Sequence, residues 1–171
     1  KAIVRYGVGY DNIDLKTATQ YQVKVANVQG YANHSVSDHA IAMIFGCARA
    51  LPQGEKSLMD QFGKPPIKQV IELHDKSLGI IGLGRIGGTL CQKAQLLFNE
   101  VRAYDPYVSN KRFESLGAKQ SGLEELLANS DVVSIHCNLT EETRKLVNAE
   151  KIELMKDNAI LINTARGSII D

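Results

Sequence analysis

An α/β fold with a doubly wound, parallel sheet is the class the sequence predicts, and three observations predict it. Short runs rich in Val and Ile, "LGIIG", "VRAYD", "DVVSIH" and "AILINTA", recur from residue 78 to the end. Continuous apolar runs of this length suit strands buried on both faces. Segments of helical period separate them, as crossovers between parallel strands require. The first run leads directly into the glycine pattern "GLGRIG", the punctuation of a tight strand-to-helix turn.

Each element follows from local pattern. "KAIVR" and "VKVANV" read as strands around a short helix, "LKTATQYQ", a unit too small to bury a core of its own. "NHSVSDHAIAMIFGCARAL" reads as one long helix, capped by Ser35, with Asp38 favouring its first turn and Val36, Ala40, Ile44, Cys47 and Leu51 as its apolar stripe. "GEKSLMDQFGKPPIKQVIELHDK" is polar, contains Pro65 and Pro66, and reads as a surface connection into the sheet. Next, "GGTLCQKAQLLF" places Leu90, Ala94 and Leu97 on one face, and "GLEELLANS" repeats the pattern with Leu123, Leu126 and Leu127. Asn99 is placed to close the first crossover in a left-handed conformation. Asn148, three residues before Lys151, opens the helix "NAEKIELMK".

Composition narrows function before any motif does. The 171 residues are 44% apolar and 23% charged with a net charge of +1, which leaves no electrostatic footprint for nucleic acid or a membrane surface. The longest apolar stretch, Ala40 to Ala48, falls far short of the roughly 20 residues of a membrane span. No basic-then-apolar leader opens the chain, so a cytoplasmic location is expected. Cys47, Cys91 and Cys137 are scattered and odd in number, and read as buried thiols of a reducing compartment. The four histidines are dispersed, so no metal site is expected.

The chemistry concentrates at strand ends. In Gly82-x-Gly84-x-x-Gly87 the first glycine permits the tight turn, the second lets a pyrophosphate approach the backbone, and the third lets helix and strand pack closely. Amides at the helix start then face the phosphates. Asp105 ends the second strand 18 residues past Gly87, where a carboxylate accepts hydrogen bonds from ribose hydroxyls and repels a 2′-phosphate. The sheet is therefore Rossmann-like, with NAD preferred over NADP. The competing reading is a structural glycine turn beside a solvated aspartate.

Arg166 follows "AILINTA" at the carboxyl end of a strand, the edge on which open α/β sheets bind ligands. Its guanidinium suits the carboxylate of an α-keto or α-hydroxy acid, although an Arg-Gly step taken alone is more often a surface turn. His136 and Cys137 end "DVVSIHC" on the same edge and read as lining the cofactor groove. A histidine there can serve as a base, but a hydrogen-bonded packing role is the stronger reading, and Cys137 has no cation near it in sequence to lower its pKa. Near the start, two glycines bracket Val8 in a turn able to aim amides at an anion, or serving merely to join strand and helix.

Taken together, "VGYDNIDL", "SVSDHAIAMI", "SLGIIGLGRIG", "YDP" and "NAILINTARGSIID" closely resemble the D-isomer-specific 2-hydroxyacid dehydrogenases, in the order of that family and over essentially the whole chain. Phosphoglycerate dehydrogenase, glyoxylate reductase and the C-terminal-binding-protein corepressors belong to it. The resemblance implies that residues 1 to 32 end a flavodoxin-like substrate-binding segment and that 33 to 171 form most of the NAD-binding domain. It implies that Val8 and Gly9 hold the substrate carboxylate and that Arg85 and Ile86 lie against the pyrophosphate. It further implies that Cys137, Thr164 and Ala165 line the cofactor, that Arg166 binds and polarises the substrate, and that the helix near Ser35 joins a homodimer.

Three departures qualify it. The chain is expected to be a fragment, without the downstream Asp, Glu and acid/base His of the family, and so to bind NAD weakly without transferring hydride. Asn138 replaces a customary Pro and can reach the cofactor, and Phe62 stands where a Trp is usual. The expected activity of the intact protein is hydride transfer between NAD and a small D-2-hydroxy or 2-keto acid. The alternative is an NAD(H)-sensing, corepressor-like binding protein.

Overall fold

The computed structural model describes residues 1–59 and 70–171, so the expectations resting on Phe62, Pro65 and Pro66 lie outside the described residues. Two sheets form. β1 (Ala2–Arg5) and β2 (Lys24–Asn27) pair in parallel around α1 (Leu15–Gln20), whose first turn is capped by Asp14 accepting from the Thr17 amide. The second sheet contains β3 (Ser77–Ile81), β4 (Glu100–Tyr104), β5 (Lys119–Gln120), β6 (Val132–Ile135) and β7 (Ile160–Asn163). Its spatial order is β5-β4-β3-β6-β7 and every pairing is parallel. The predicted doubly wound sheet is therefore present, and the strand order reverses at β3, where such sheets open a ligand crevice.

The apolar runs are buried as their composition requires. All four residues of β6 are buried, as are Leu78, Gly79, Ile80 and Ile81 of β3. α2 (Asn33–Ala48), α4 (Arg85–Ala94) and α5 (Asn110–Leu116) supply Ala40, Ile44, Leu90, Ala94 and Phe113 to the core on one face. α6 (Leu123–Asn129) and the segment around α7 (Ala149–Glu153) supply Leu126, Leu127 and Val147 to the other. The stripes of α4 and α6 are those predicted, with Leu97 and Leu123 half-buried at their margins. Asn148 caps α7 through the Lys151 amide at 3.1 Å, also as predicted.

Several local expectations are corrected. Ser35 does not cap α2: the helix starts at Asn33 after a turn at Gly30 (φ +87), so the Ser35 hydroxyl already lies inside the first turn and donates to the Ala32 carbonyl. Asp38 consequently sits one turn further in, where it pairs with Lys93 of α4 at 2.5 Å. The buried stripe is Ser37, Ala40, Ile44 and Ala48. Cys47 falls outside it and is exposed, contrary to the expected buried thiol. The chain reverses at Ala50 (φ +51), so Leu51 opens a separate helix, α3 (Leu51–Met59), instead of extending the stripe. That helix occupies the start of what reads in sequence as a surface connection.

Asn99 is not left-handed either. The helix ends at Ala94, and the Asn99 amide is already engaged with the Lys76 carbonyl at the entrance to β3. α5 and β5 have no counterpart in the sequence reading. Their run "NKRFESLGAKQ" buries only Phe113, Leu116 and Ala118, too few apolar positions to declare a period.

Candidate functional site

The site begins where β3 stops. Gly82 has φ +94, and a β-carbon there would lie 2.6 Å from the backbone nitrogen of Cys137 and 2.8 Å from its α-carbon. Only glycine fits, because the turn leaves β3 pressed against the end of β6. A β-carbon on Gly87 would overlap the Gly82 carbonyl oxygen, so helix and turn are in contact. Gly84, by contrast, is exposed and faces open space, with nothing within 4 Å of where its β-carbon would be. It caps α4 without a side-chain hydrogen bond, and the exposed Arg85 and half-buried Ile86 follow it. The three glycines thus have three separate environments, and the open one is where an anion can reach the helix amides.

Asp105, just beyond β4, joins this turn directly. Its Oδ2 accepts from the Leu83 amide at 2.8 Å and its Oδ1 accepts from the Tyr107 amide at 2.9 Å. Each oxygen retains lone-pair capacity for a further donor such as a ribose hydroxyl. The carboxylate therefore also braces the glycine turn, a role its position in sequence does not disclose.

His136 and Cys137 continue the same edge from β6. The His136 ring meets the Ser134 hydroxyl through Nε2 at 2.8 Å and the Thr164 hydroxyl through Nδ1 at 3.3 Å. Burial pushes its pKa down to about 4 and pushes the Cys137 thiol up to about 11. A neutral imidazole with both nitrogens engaged is a packing group, and a thiol at that pKa is a poor nucleophile. Asn138 is exposed, and its carbonyl accepts from the Thr143 hydroxyl at 2.6 Å.

The depressed histidine makes a testable statement about stability. The unfolded chain takes up this proton near pH 6.5, the folded one near 4, so the unfolded state binds more protons between those values. Stability must then fall as pH is lowered through that window, by up to about 3 kcal/mol from this group. Thermal melts at pH 7 and pH 4 should show a smaller loss in His136→Gln than in the parent. Equal losses would mean the ring titrates as if solvated.

Arg166 stands beyond β7. Asn163 shapes the intervening turn: its Oδ1 accepts from the Ala165 amide at 3.0 Å and its Nδ2 donates to the Arg166 carbonyl at 2.8 Å. Arg166 and its neighbours Asn163, Thr164, Ala165 and Gly167 form one wall of a cleft of about 610 Å³. The other wall is α2, through Ser35, Val36, His39 and Met43. Against Arg166 lies the turn of the small sheet. Gly9 is packed so tightly against Arg166 that a β-carbon would collide with Nη2, and the Val8 carbonyl is held by Asn27 Nδ2 at 2.8 Å. Asp11, in the same loop, grips the guanidinium at 2.8 Å.

The residues singled out in sequence therefore lie along one edge, from Asp105 through Gly82 and His136 to Thr164 and Arg166, with Val8 and Gly9 facing the far end. Asp11, Asn163 and His39 were not singled out. Asp11 is legible afterwards as a polar residue of the loop after Val8 and Gly9, and Asn163 as the polar end of β7 beside Thr164; His39 carries no distinguishing signal in sequence. No cluster of three potential metal ligands occurs among the described residues.

Residues 41–171 match the model of the D-isomer specific 2-hydroxyacid dehydrogenase NAD binding domain. Over its whole length the chain is 43% identical to D-3-phosphoglycerate dehydrogenase of Archaeoglobus fulgidus and 38% identical to that of Bacillus subtilis, spanning 32% and 33% of their lengths. The structure of D-lactate dehydrogenase from Aquifex aeolicus complexed with NAD and lactic acid superposes with a TM-score of 0.91 at 33% identity, covering all of this chain and 51% of that one. All three are dehydrogenases by name. The matched residues make up most of the chain, so NAD is the cofactor of the domain it matches and the chain belongs to the D-isomer specific 2-hydroxyacid dehydrogenase family.

Proposed function

We propose that the protein is an NAD-dependent oxidoreductase acting on a small D-2-hydroxy acid or the corresponding 2-keto acid. The observation that carries this is the placement of Arg166, a cation at the carboxyl edge of the sheet, in the cleft against α2 and abutted by Gly9. NAD, when bound, supplies or accepts the hydride. The chain's own residues bind and orient. Amides around Gly84, Arg85 and Ile86 take the pyrophosphate, Asp105 takes the adenosine ribose, and Cys137, Asn138, Thr164 and Ala165 line the groove. His136 supports it from below as a neutral, hydroxyl-locked ring. Arg166 holds the substrate carboxylate and stabilises charge developing on the reacting oxygen, with the Val8–Gly9 turn completing the carboxylate site. In this reading residues 1–32 belong to a substrate-binding segment and 33–171 to the NAD-binding domain.

The experiment that tests the cofactor half is substitution of Asp105 in the full-length protein. Asp105→Ala should weaken NADH binding by about 1 to 2 kcal/mol and ease NADPH binding, because a charge-assisted acceptor for ribose is lost together with its repulsion of a 2′-phosphate. Asp105→Asn separates the two duties of the side chain: its amide oxygen still accepts from the Leu83 amide, but the negative charge is gone. Dissociation constants for both cofactors that do not move in either variant would remove Asp105 from the site.

A further inference from the structure

Arg166 does not stand free in its cleft. Its Nε donates to Asp11 Oδ1 and Oδ2 at 3.0 and 3.1 Å, its Nη2 donates to Oδ1 at 2.8 Å, and its Nη1 donates to the Ala165 carbonyl at 2.9 Å. A guanidinium carries five N–H groups in a rigid plane. Asp11 occupies the side edge formed by Nε and Nη2, and the Ala165 carbonyl takes a hydrogen on Nη1. One N–H on each terminal nitrogen is left for a further acceptor. These two can donate to a carboxylate while Asp11 keeps its own bonds.

Asp11 is well placed for such a part. Its loop follows the Gly7-Val8-Gly9 turn, and Gly9 abuts Nη2, so aspartate and turn approach the guanidinium together. The bond to Arg166 holds the Asp11 carboxyl below its ordinary value against the opposing effect of desolvation, and through-space attraction from Arg166 and Arg5 adds to it. The carboxylate is therefore charged throughout the neutral range. Its partner is 155 residues away in sequence, so neither local turn chemistry nor helical spacing creates the pair.

We propose that Asp11 is a positioning residue for Arg166, holding the guanidinium by its Nε and Nη2 so that the remaining N–H groups are presented, already oriented, to the carboxylate of a 2-keto or 2-hydroxy acid. The inference rests on the reading of Arg166 as the substrate-binding arginine. Without Asp11 the long side chain would sample several rotamers, and substrate binding would have to order it. An alternative arrangement of the same atoms has Asp11 occupying the substrate's place, to be expelled on binding. The two make opposite predictions for a variant that removes the charge.

The test uses the full-length protein loaded with NADH and oxamate, an unreactive 2-keto acid analogue, as the probe. Asp11→Asn should weaken oxamate binding about 10- to 100-fold while changing the NADH dissociation constant by less than about twofold. Asp11→Glu, which keeps the charge on a longer arm, should recover part of the loss. In an Arg166→Gln background, Asp11→Asn should cost less than about twofold, because a residue that acts through Arg166 has nothing left to position. Equal losses in both backgrounds, or oxamate binding unchanged by Asp11→Asn, would overturn the proposal. Tighter oxamate binding would overturn it in favour of competition. Should Asp11→Asn fail to bind NADH, the proposal stands or falls on whether Asp11→Glu loses oxamate affinity only when Arg166 is present. A parent protein that binds NADH but not oxamate would reject the reading of Arg166 itself, and this inference with it.

Discussion

Arg166→Lys in the full-length protein is expected to lower kcat/KM by about two orders of magnitude or more while leaving the fold and NADH binding intact. Lysine carries the same charge but as a point at the end of a flexible stem. The geometry around Arg166 sharpens the expectation. Its guanidinium already serves Asp11 on one edge and the Ala165 carbonyl from another nitrogen, and in the proposed mechanism it serves the substrate carboxylate on a third side. An ammonium group cannot hold two carboxylates on fixed, separate edges, so the substrate would lose orientation as well as contact. Orientation and charge stabilisation are the quantities that kcat/KM reports. Steady-state kinetics with NADH and a 2-keto acid, together with a melting curve, check the statement. Near-normal turnover accompanied by a lost melting transition would make Arg166 a structural residue.

Gly82→Ala should be the most damaging small substitution in the nucleotide turn. The added methyl meets the Cys137 backbone nitrogen at 2.6 Å and the His136 carbonyl carbon at 2.9 Å, and backbone cannot swing aside as a side-chain tip can. The positive φ of +94 adds conformational strain for any residue with a β-carbon. Strain and overpacking together cost about 3 kcal/mol or more, which lowers the melting temperature of a domain of this size by about 10 °C. NADH binding should be lost with it, because β3 and β6 are forced apart at the mouth of the groove. Gly84→Ala is the contrast: its β-carbon enters open space, so the melting temperature should shift far less while NADH binding still weakens. Equal thermal shifts in the two variants would contradict the separation of roles between these glycines.

Much of the architecture was legible because it rests on short-range physics. The buried strands announce themselves as unbroken apolar runs, since a strand covered on both faces has no polar side to display. The helices α4 and α6 announce themselves by their stripes, and the nucleotide turn by three spaced glycines, two of which, Gly82 and Gly87, leave no room for a β-carbon. Elements with few buried residues escaped. α5 and β5 bury too little to impose a period, and the end of α2 was overrun because Ala50, an ordinary helix former by composition, adopts a positive φ where the chain turns into α3. The start of α2 was misplaced for a related reason. Ser35 is a good cap by type, but the turn at Gly30 had already begun the helix two residues earlier.

By itself the sequence determined the parallel α/β class, the glycine turn after β3, the acid at the tip of β4 and the arginine after β7, because each depends on residue type and on spacing to the nearest strand end. Tertiary structure alone decided the partners of those residues. Asp105 turns out to brace the glycine turn through the Leu83 amide, 22 positions away, and His136 to be locked between the hydroxyls of Ser134 and Thr164. Arg166 turns out to be held by Asp11 from the opposite end of the chain. Such pairings are set by how the strands order themselves in the sheet and where their loops meet at its carboxyl edge. That ordering is a property of packing over the whole domain, and no local pattern records which distant carboxylate or hydroxyl will arrive beside a given side chain.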